Sequence, residues 1–191
     1  MKKTITKFVG AAATIAAMMT MAGCTAKSSS AKGNTATGDK IKIGLNIELS
    51  GAAAGYGEQQ KQGFQLAVKK INQAGRIKVG NKKMKIQTVI QDNKTTTSGS
   101  ASVAAQLATK DKVTAVVGPA TTNDGTASIP NMTKAYVPTV SPSATDPDYT
   151  LQKHGKVQTY VFRACFNNDL QGDTAAHFAD NTLKAKNVAI L

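Results

Sequence analysis

Short apolar runs alternate with amphipathic helical stretches along most of this chain, and that order restricts the folds open to it. Ile41, Ile43, Leu45 and Ile47 recur at every second residue, the period of a strand. Across residues 58–74, Phe64, Ala67, Val68 and Ile71 recur at i, i+3, i+4 and i+7, the stripe of an amphipathic helix, and Gly75 is placed to end it. Residues 83–91 read as a second strand. Residues 100–110 read as a helix with Val103, Ala104, Leu107 and Ala108 inward, and 114–117 as a short buried strand closed by Gly118-Pro119. A helix over 123–135, bent at Pro130, leads to a strand at 137–140 and a Pro/Ser/Asp loop at 141–149. A strand at 160–164, a helix at 170–183 and a last strand at 187–191 complete the pattern. Strands and helices in regular alternation call for an α/β fold, a doubly wound parallel sheet with helices on both faces.

The first residues are a processing signal rather than part of that fold. Lys2, Lys3 and Lys7 precede an uncharged apolar run over 8–22, too short for the ~20 residues of a spanning helix. The run ends in Met21-Ala22-Gly23-Cys24, which resembles the bacterial lipobox, so residues 1–23 are expected to be removed and Cys24 to carry lipid. Two acyl chains anchor stably where one is marginal. The alternative is ordinary cleavage that leaves Cys24 a free thiol, a liability on a secreted chain. With Cys24 lipidated, Cys165 has no disulfide partner and is expected to be a small buried residue. Residues 24–40, rich in Ser, Thr, Ala, Gly and Lys, lack apolar periodicity and read as a flexible tether.

The chain has 24 Lys and Arg against 11 Asp and Glu. Losing the leader leaves 21 basic residues, a net charge of +10. The lysines are scattered and not interleaved with aromatics, so no nucleic-acid surface is expected; the charge reads as a solvated surface facing an anionic cell envelope. Enzyme patterns are missing as well. Gly55-Tyr56-Gly57 begins like a dinucleotide fingerprint, but Gln60 stands where the third glycine belongs. There is no phosphate loop and no nucleophile elbow. His154 and His177 lie far apart in sequence, and His177 reads as a surface residue of the last helix. Among the loops at 49–57, 118–123 and 141–148 only the last holds acids, Asp146 and Asp148 beside Pro147, and neither catalysis nor a cofactor or metal is expected.

Those loops follow strands, where open α/β sheets bind ligands. They offer the hydroxyls of Ser50, Thr121, Thr122, Ser141, Ser143 and Thr145 together with helix N-termini, neutral donors suited to a carboxylate. Tyr56 offers an apolar wall with a polar tip. The same residue types serve as caps and turns, so residue type alone leaves both uses open.

Several segments are similar to the leucine/isoleucine/valine-binding protein family, the type I periplasmic substrate-binding proteins of branched-chain amino-acid ABC transporters. They are Ile41-Lys-Ile-Gly-Leu45, Leu49-Ser50-Gly51, Tyr56-Gly57, Gly63 and Asn72, then Gln91-Asp92-Asn93 and Val116-Val117-Gly118-Pro119. The likeness continues in Pro138-Thr-Val-Ser-Pro-Ser-Ala-Thr145, Phe162-Arg163, Asp169, Gln171-Gly172 and Val188-Ala-Ile-Leu191. The resemblance implies a two-lobed type I periplasmic-binding-protein fold. It places Thr122 on the ligand carboxylate and Thr145 on both carboxylate and ammonium. Ser143 would supply backbone groups to the ammonium, with Ala144 in the same ligand-binding set. Tyr56 would line the side-chain pocket, bordered by Thr121 and Ala120. The acidic ammonium partner would come from a second lobe.

The expected organisation is therefore leader 1–23, tether 24–40, a nearly complete lobe one at 41–158 and the truncated start of lobe two at 159–191. The expected function is an extracytoplasmic lipoprotein, held at the outer face of the membrane, that binds an amino acid and delivers it to an ABC permease. A ligand sensor for a signalling partner, an enzyme on the same fold and a non-functional fragment are the alternatives.

Overall fold

The structure, a computed structural model, describes residues 33–189. The strands are β1 (Lys40–Ile47), β2 (Ile77–Val79), β3 (Lys82–Asp92), β4 (Ala115–Val117), β5 (Thr139–Ser141) and β6 (Val161–Arg163). The helices are α1 (Ala54–Gln73), α2 (Thr97–Thr109), α3 (Thr122–Lys134) and α4 (Asn168–His177). One sheet runs β2-β3-β1-β4-β5-β6, parallel throughout except for β2, which pairs antiparallel with the start of β3.

Strand alternation divides the core between the two faces of the sheet. On one face Leu45 and Ile47 are fully buried with Ala120, and Phe64 of α1 packs on them. On the other, Val103, Ala104, Leu107 and Ala108 of α2 join Val113, Val116, Met132 of α3 and Val137. Burial of such side chains contributes about 1.5–3 kcal/mol each. Side-chain caps start α2, α3 and α4: Thr96 accepts from Gly99 N–H, Thr121 from Asp124 N–H and Asn167 from Leu170 N–H.

Several boundaries differ from the sequence reading for identifiable reasons. α1 begins at Ala54, a turn before residue 58, because glycine there serves contact rather than a loop. A Cβ on Gly57 would lie 1.8 Å from the Glu48 carbonyl oxygen, so only glycine lets the helix approach β1. The apolar stripe of α1 is only half covered: Phe64 and Val68 are partly buried, whereas Ala67 and Ile71 are exposed. The hairpin of β2 with β3 is additional; its signal was the Gly80-Asn81 turn between two apolar-bearing runs. α3 continues through Pro130.

The strand expected to open a second lobe is instead the sixth strand of this sheet. Val161–Arg163 pairs in parallel with Thr139–Ser141, so the expected boundary between residues 158 and 159 falls before an element of the first sheet. After α4 a π-helical turn, Phe178–Thr182, replaces the end of the helix expected to reach 183. Residues 187–189 form no strand, and the rest of that expected strand lies outside the described residues. The tether reading is corrected where it can be seen. Asn34 donates to the carbonyls of Ala108 (2.7 Å) and Val113 (3.1 Å), which fastens residues 33–37 to the body. The leader and Cys24 lie outside the described residues.

Candidate functional site

At the carboxyl ends of the strands, Tyr56, Ala120, Thr121, Thr122, Ser143 and Thr145 line a recess of about 220 Å³. Tyr56 comes from the first turn of α1, the threonines 121 and 122 from the start of α3, and Ser143 and Thr145 from the loop after β5. Segments far apart in sequence meet here because parallel strands send every β-to-α connection to the same end.

The hydroxyls proposed as donors divide into two groups. Ser50 Oγ donates to Asp92 Oδ2 at 2.6 Å, and Ser141 Oγ donates to the Pro119 carbonyl at 2.6 Å while accepting from Ala144 N–H. Thr121 donates its N–H to Glu48 and its hydroxyl to Asp124 at 2.9 Å. These three hold loops together. Among the described residues, the Thr145 hydroxyl makes no hydrogen bond, and the Thr122 hydroxyl only accepts a long one from Asp146 N–H at 3.4 Å. The N–H groups of Thr122 and Asn123, in the first turn of α3, have no partner among the described residues. Thr122, Asn123 and Thr145 thus leave donors free beside one recess, the disposition that suits an anion.

Ser143 is half committed. Its hydroxyl donates to the Ala120 carbonyl at 2.8 Å and accepts from the Gln60 amide at 2.7 Å, while its N–H makes only a 3.4 Å contact with Ser141 Oγ. Ala144 does not belong to the lining: it is fully buried, packs with Tyr149 and Val161, and its N–H is taken by Ser141. Tyr56 is 69 % exposed, a large aromatic with nothing over it. Cys165 is partly rather than fully buried, its thiol 3.5 Å from the Ala144 carbonyl.

Acid groups that sequence reasoning passed over hold the recess from beneath. Glu48, fully buried at the end of β1, accepts from Ala120 N–H at 3.0 Å and Thr121 N–H at 3.1 Å. Asp124, buried in α3, lies beside it. Burial pushes the Asp124 carboxyl above the usual carboxylate range, the Thr121 hydroxyl opposes this, and Glu48 adds to the rise. Each acid sits one residue outside the loops searched for a carboxylate pair, so the pair is visible only in space. Asp92 works on the neighbouring loop, with Oδ1 accepting from Leu49, Ser50 and Lys94 N–H groups. Burial alone would raise its pKa; the hydrogen bonds from Ser50, Lys94 and Leu49 outweigh burial and hold it below the usual range. Gly118, at φ +96°, brings its backbone against the Asn46 carbonyl, where a Cβ would lie 2.0 Å away; the Gly118–Pro119 bond is cis. Gln60, noted only as a break in a glycine pattern, ties α1 to Ser143.

Among the described residues no three His, Cys, Asp or Glu side chains converge on a metal-sized site, and no helix is long and apolar enough to cross a membrane. His177 is exposed at the end of α4.

The parallel sheet and its flanking helices are those of a periplasmic-binding-protein lobe, and comparison with known proteins agrees. Residues 40–191 match the family described as periplasmic binding protein, and the chain belongs to that family. The chain is 36% identical over 151 residues to the Leu/Ile/Val-binding protein BraC3 of Rhizobium johnstonii, covering 79% of this chain and 39% of that one. An amino acid binding protein of Pseudomonas aeruginosa is 31% identical, covering 79% and 38%. Among solved structures, the branched-chain amino acid transporter substrate-binding protein LivJ of Streptococcus pneumoniae, in complex with isoleucine, superimposes with a TM-score of 0.68 at 42% identity. That likeness covers 76% of this chain and 39% of that one. The chain therefore spans about two fifths of the length of these relatives. The fold is that of the type I periplasmic binding proteins, and the family is one of substrate-binding proteins rather than enzymes.

Proposed function

We propose that this chain supplies the first wall of an amino-acid binding site in an extracytoplasmic lipoprotein that delivers a branched-chain amino acid to an ABC permease. One observation carries the reading: Thr122, Asn123 and Thr145 leave donors free beside a recess that also holds Ser143 and Tyr56. A carboxylate removed from water needs such donors. The α3 N-terminus adds a favourable dipole of about 0.3–1 kcal/mol. The isoleucine-bound relative supports a ligand of this class.

The lining holds no acid, so the ammonium meets only neutral acceptors here, and the exposed Tyr56 has no opposing wall. We assign the acid and the second wall to a further lobe, which on closing excludes water and strengthens the polar contacts. The test is calorimetric titration with leucine, isoleucine and valine, on this chain and on a chimera carrying the remainder of the Streptococcus pneumoniae relative. Binding by the chimera at least ~100-fold tighter, roughly 2.8 kcal/mol, is expected. Equal micromolar affinity in both removes the two-wall site; no binding of any amino acid by the chimera removes the ligand class. Anchoring is tested separately. Detergent partitioning should be lost in Cys24→Ala, and partitioning unchanged by the substitution sinks the lipoprotein reading.

A further inference from the structure

At the end of the sheet opposite the recess, lysines form a band across three strands. Lys78 and Lys83 are direct cross-strand partners on β2 and β3, and Lys85 and Lys40 are partners on β3 and β1. Partners in a ladder project from the same face, as do residues two apart, so Lys78, Lys83, Lys85, Lys40 and Lys42 share one face. It is the face that α2 covers higher up, since Gly44 meets Leu107. α2 ends at Thr109 and leaves Lys40, Lys78, Lys83 and Lys85 exposed, while the part-buried Lys42 ammonium donates to the Asp111 carbonyl at 3.1 Å. Lys112, just beyond it, joins Lys40 and Lys42 around a recess of about 300 Å³ whose wall includes Thr114, its hydroxyl buried and without a hydrogen-bond partner.

Little on the protein balances this charge. Among the described residues none of the six lysines forms an ion pair. Of the acids nearby, Asp39 lies 3.8 Å from Arg76, and the Asp111 carboxylate accepts from the Gln91 amide. Like charges directly opposite in a sheet repel, so an anionic surface laid across the band relieves a strain the fold carries. Glu48, Asp92, Asp124, Asp146 and Asp148 belong to the other end, where Lys94 and Arg163 are the accompanying cations.

The N-terminal segment joins the body at this same basic end, through Asn34. Ten residues separate Asn34 from Cys24, a reach of at most roughly 36 Å. We propose that the lysine band docks the lobe on an anionic lipid bilayer and holds the recess outward, toward incoming solute. A flat band over neighbouring strands matches a field of headgroup phosphates. It carries no aromatic side chain in β1, β2 or β3 on which a nucleic-acid base could stack. The proposal takes from the lipoprotein reading only the nearness of the membrane.

The test mixes the full chain with neutral phosphatidylcholine vesicles or with vesicles containing about 30% phosphatidylglycerol, reading flotation and lysine acetylation. Lys78, Lys83 and Lys85 should be protected on anionic vesicles, while Lys94 at the opposite end stays reactive. Charge reversal in K78E/K83E/K85E should lower binding to anionic vesicles on the order of 100-fold, and about 0.5 M salt should do the same. Equal binding and equal lysine reactivity on both vesicle types overturn the proposal and leave only the anchor. Binding to anionic vesicles with none to neutral ones keeps the band and removes the anchor. Protection by heparin without protection by anionic vesicles overturns the lipid assignment in favour of a soluble polyanion.

Discussion

The Glu48 carboxylate accepts the N–H of Thr121 at 3.1 Å, although 73 residues separate them, and so fastens the end of β1 to the cap of α3. Its other oxygen takes the Ala120 N–H at 3.0 Å. Through these bonds one buried acid sets the position of the backbone from which Thr122 offers its donors. Glu48→Ala leaves two N–H groups of this loop without acceptors and should destabilise the chain by about 3 kcal/mol or more. Glu48→Gln keeps one acceptor but turns an amide donor toward the second N–H, and should lose about 1.5–3 kcal/mol. Thermal and denaturant melts measure both; a loss under ~0.5 kcal/mol in Glu48→Ala contradicts the assignment.

The pH dependence of stability should carry the mark of Asp124. Its folded-state pKa is raised, so the stability associated with its protonated form is fully present below the ordinary carboxylate value and is lost as pH rises through the raised one. Asp124→Asn keeps an acceptor for the Thr121 hydroxyl and removes the ionisation. The variant's melting temperature relative to the parent chain should climb as pH increases from about 4 to 8. Parallel curves for the two would refute this. Asp92, whose pKa is lowered, contributes in the other direction, with stability present above the unfolded carboxylate pKa and lost as pH falls.

Ligand binding should distinguish free hydroxyls from committed ones. In the chimera, Thr145→Ala should weaken isoleucine binding by about 1.5–3 kcal/mol, the range for a hydrogen bond to a charged group, with little effect on melting. Ser141→Ala, which breaks the bond to the Pro119 carbonyl and the acceptor for Ala144 N–H, should instead lower the melting temperature first. The reverse pattern, found by calorimetry and melting together, would exchange their roles.

Gly57→Ala should be among the most damaging small substitutions. Its Cβ would meet the Glu48 carbonyl at 1.8 Å, so α1 must withdraw from β1 and carry Tyr56 with it. A cost of about 1–3 kcal/mol is expected in chemical denaturation, as for overpacking. Gly63→Ala, where nothing lies within 4 Å, should be neutral or slightly stabilising because alanine favours a helix.

Shortening the chain tests the place of β6. Ending it at residue 156 leaves β5 paired only with β4, removes the Thr139 N–H bond to Tyr160 at 2.8 Å and exposes a sheet edge. Ending it at residue 166 keeps that strand and removes the exposed Leu170 and Phe178 of the following segment. The second version should be more soluble and melt more sharply than the first; the opposite order in sedimentation and melting would contradict the pairing.

Local pattern determined much of this. The period of two in Ile41 to Ile47 and the inward set Val103, Ala104, Leu107 and Ala108 each need only neighbours a few residues away, so parallel strands and crossover helices were legible. The gathering of Tyr56, Thr121, Thr122, Ser143 and Thr145 was foreseen through resemblance, because residue type alone does not separate a ligand donor from a cap. Tertiary structure decided which hydroxyls are free: Ser50 looks like Thr145 in sequence, but Asp92 reaches it only in the fold, whereas the Thr121 hydroxyl is held locally by Asp124 three residues on. It also decided that Ala144 is buried and that β6 closes the first sheet. Burial and long-range hydrogen bonds depend on which segments meet, and no window of sequence contains both partners.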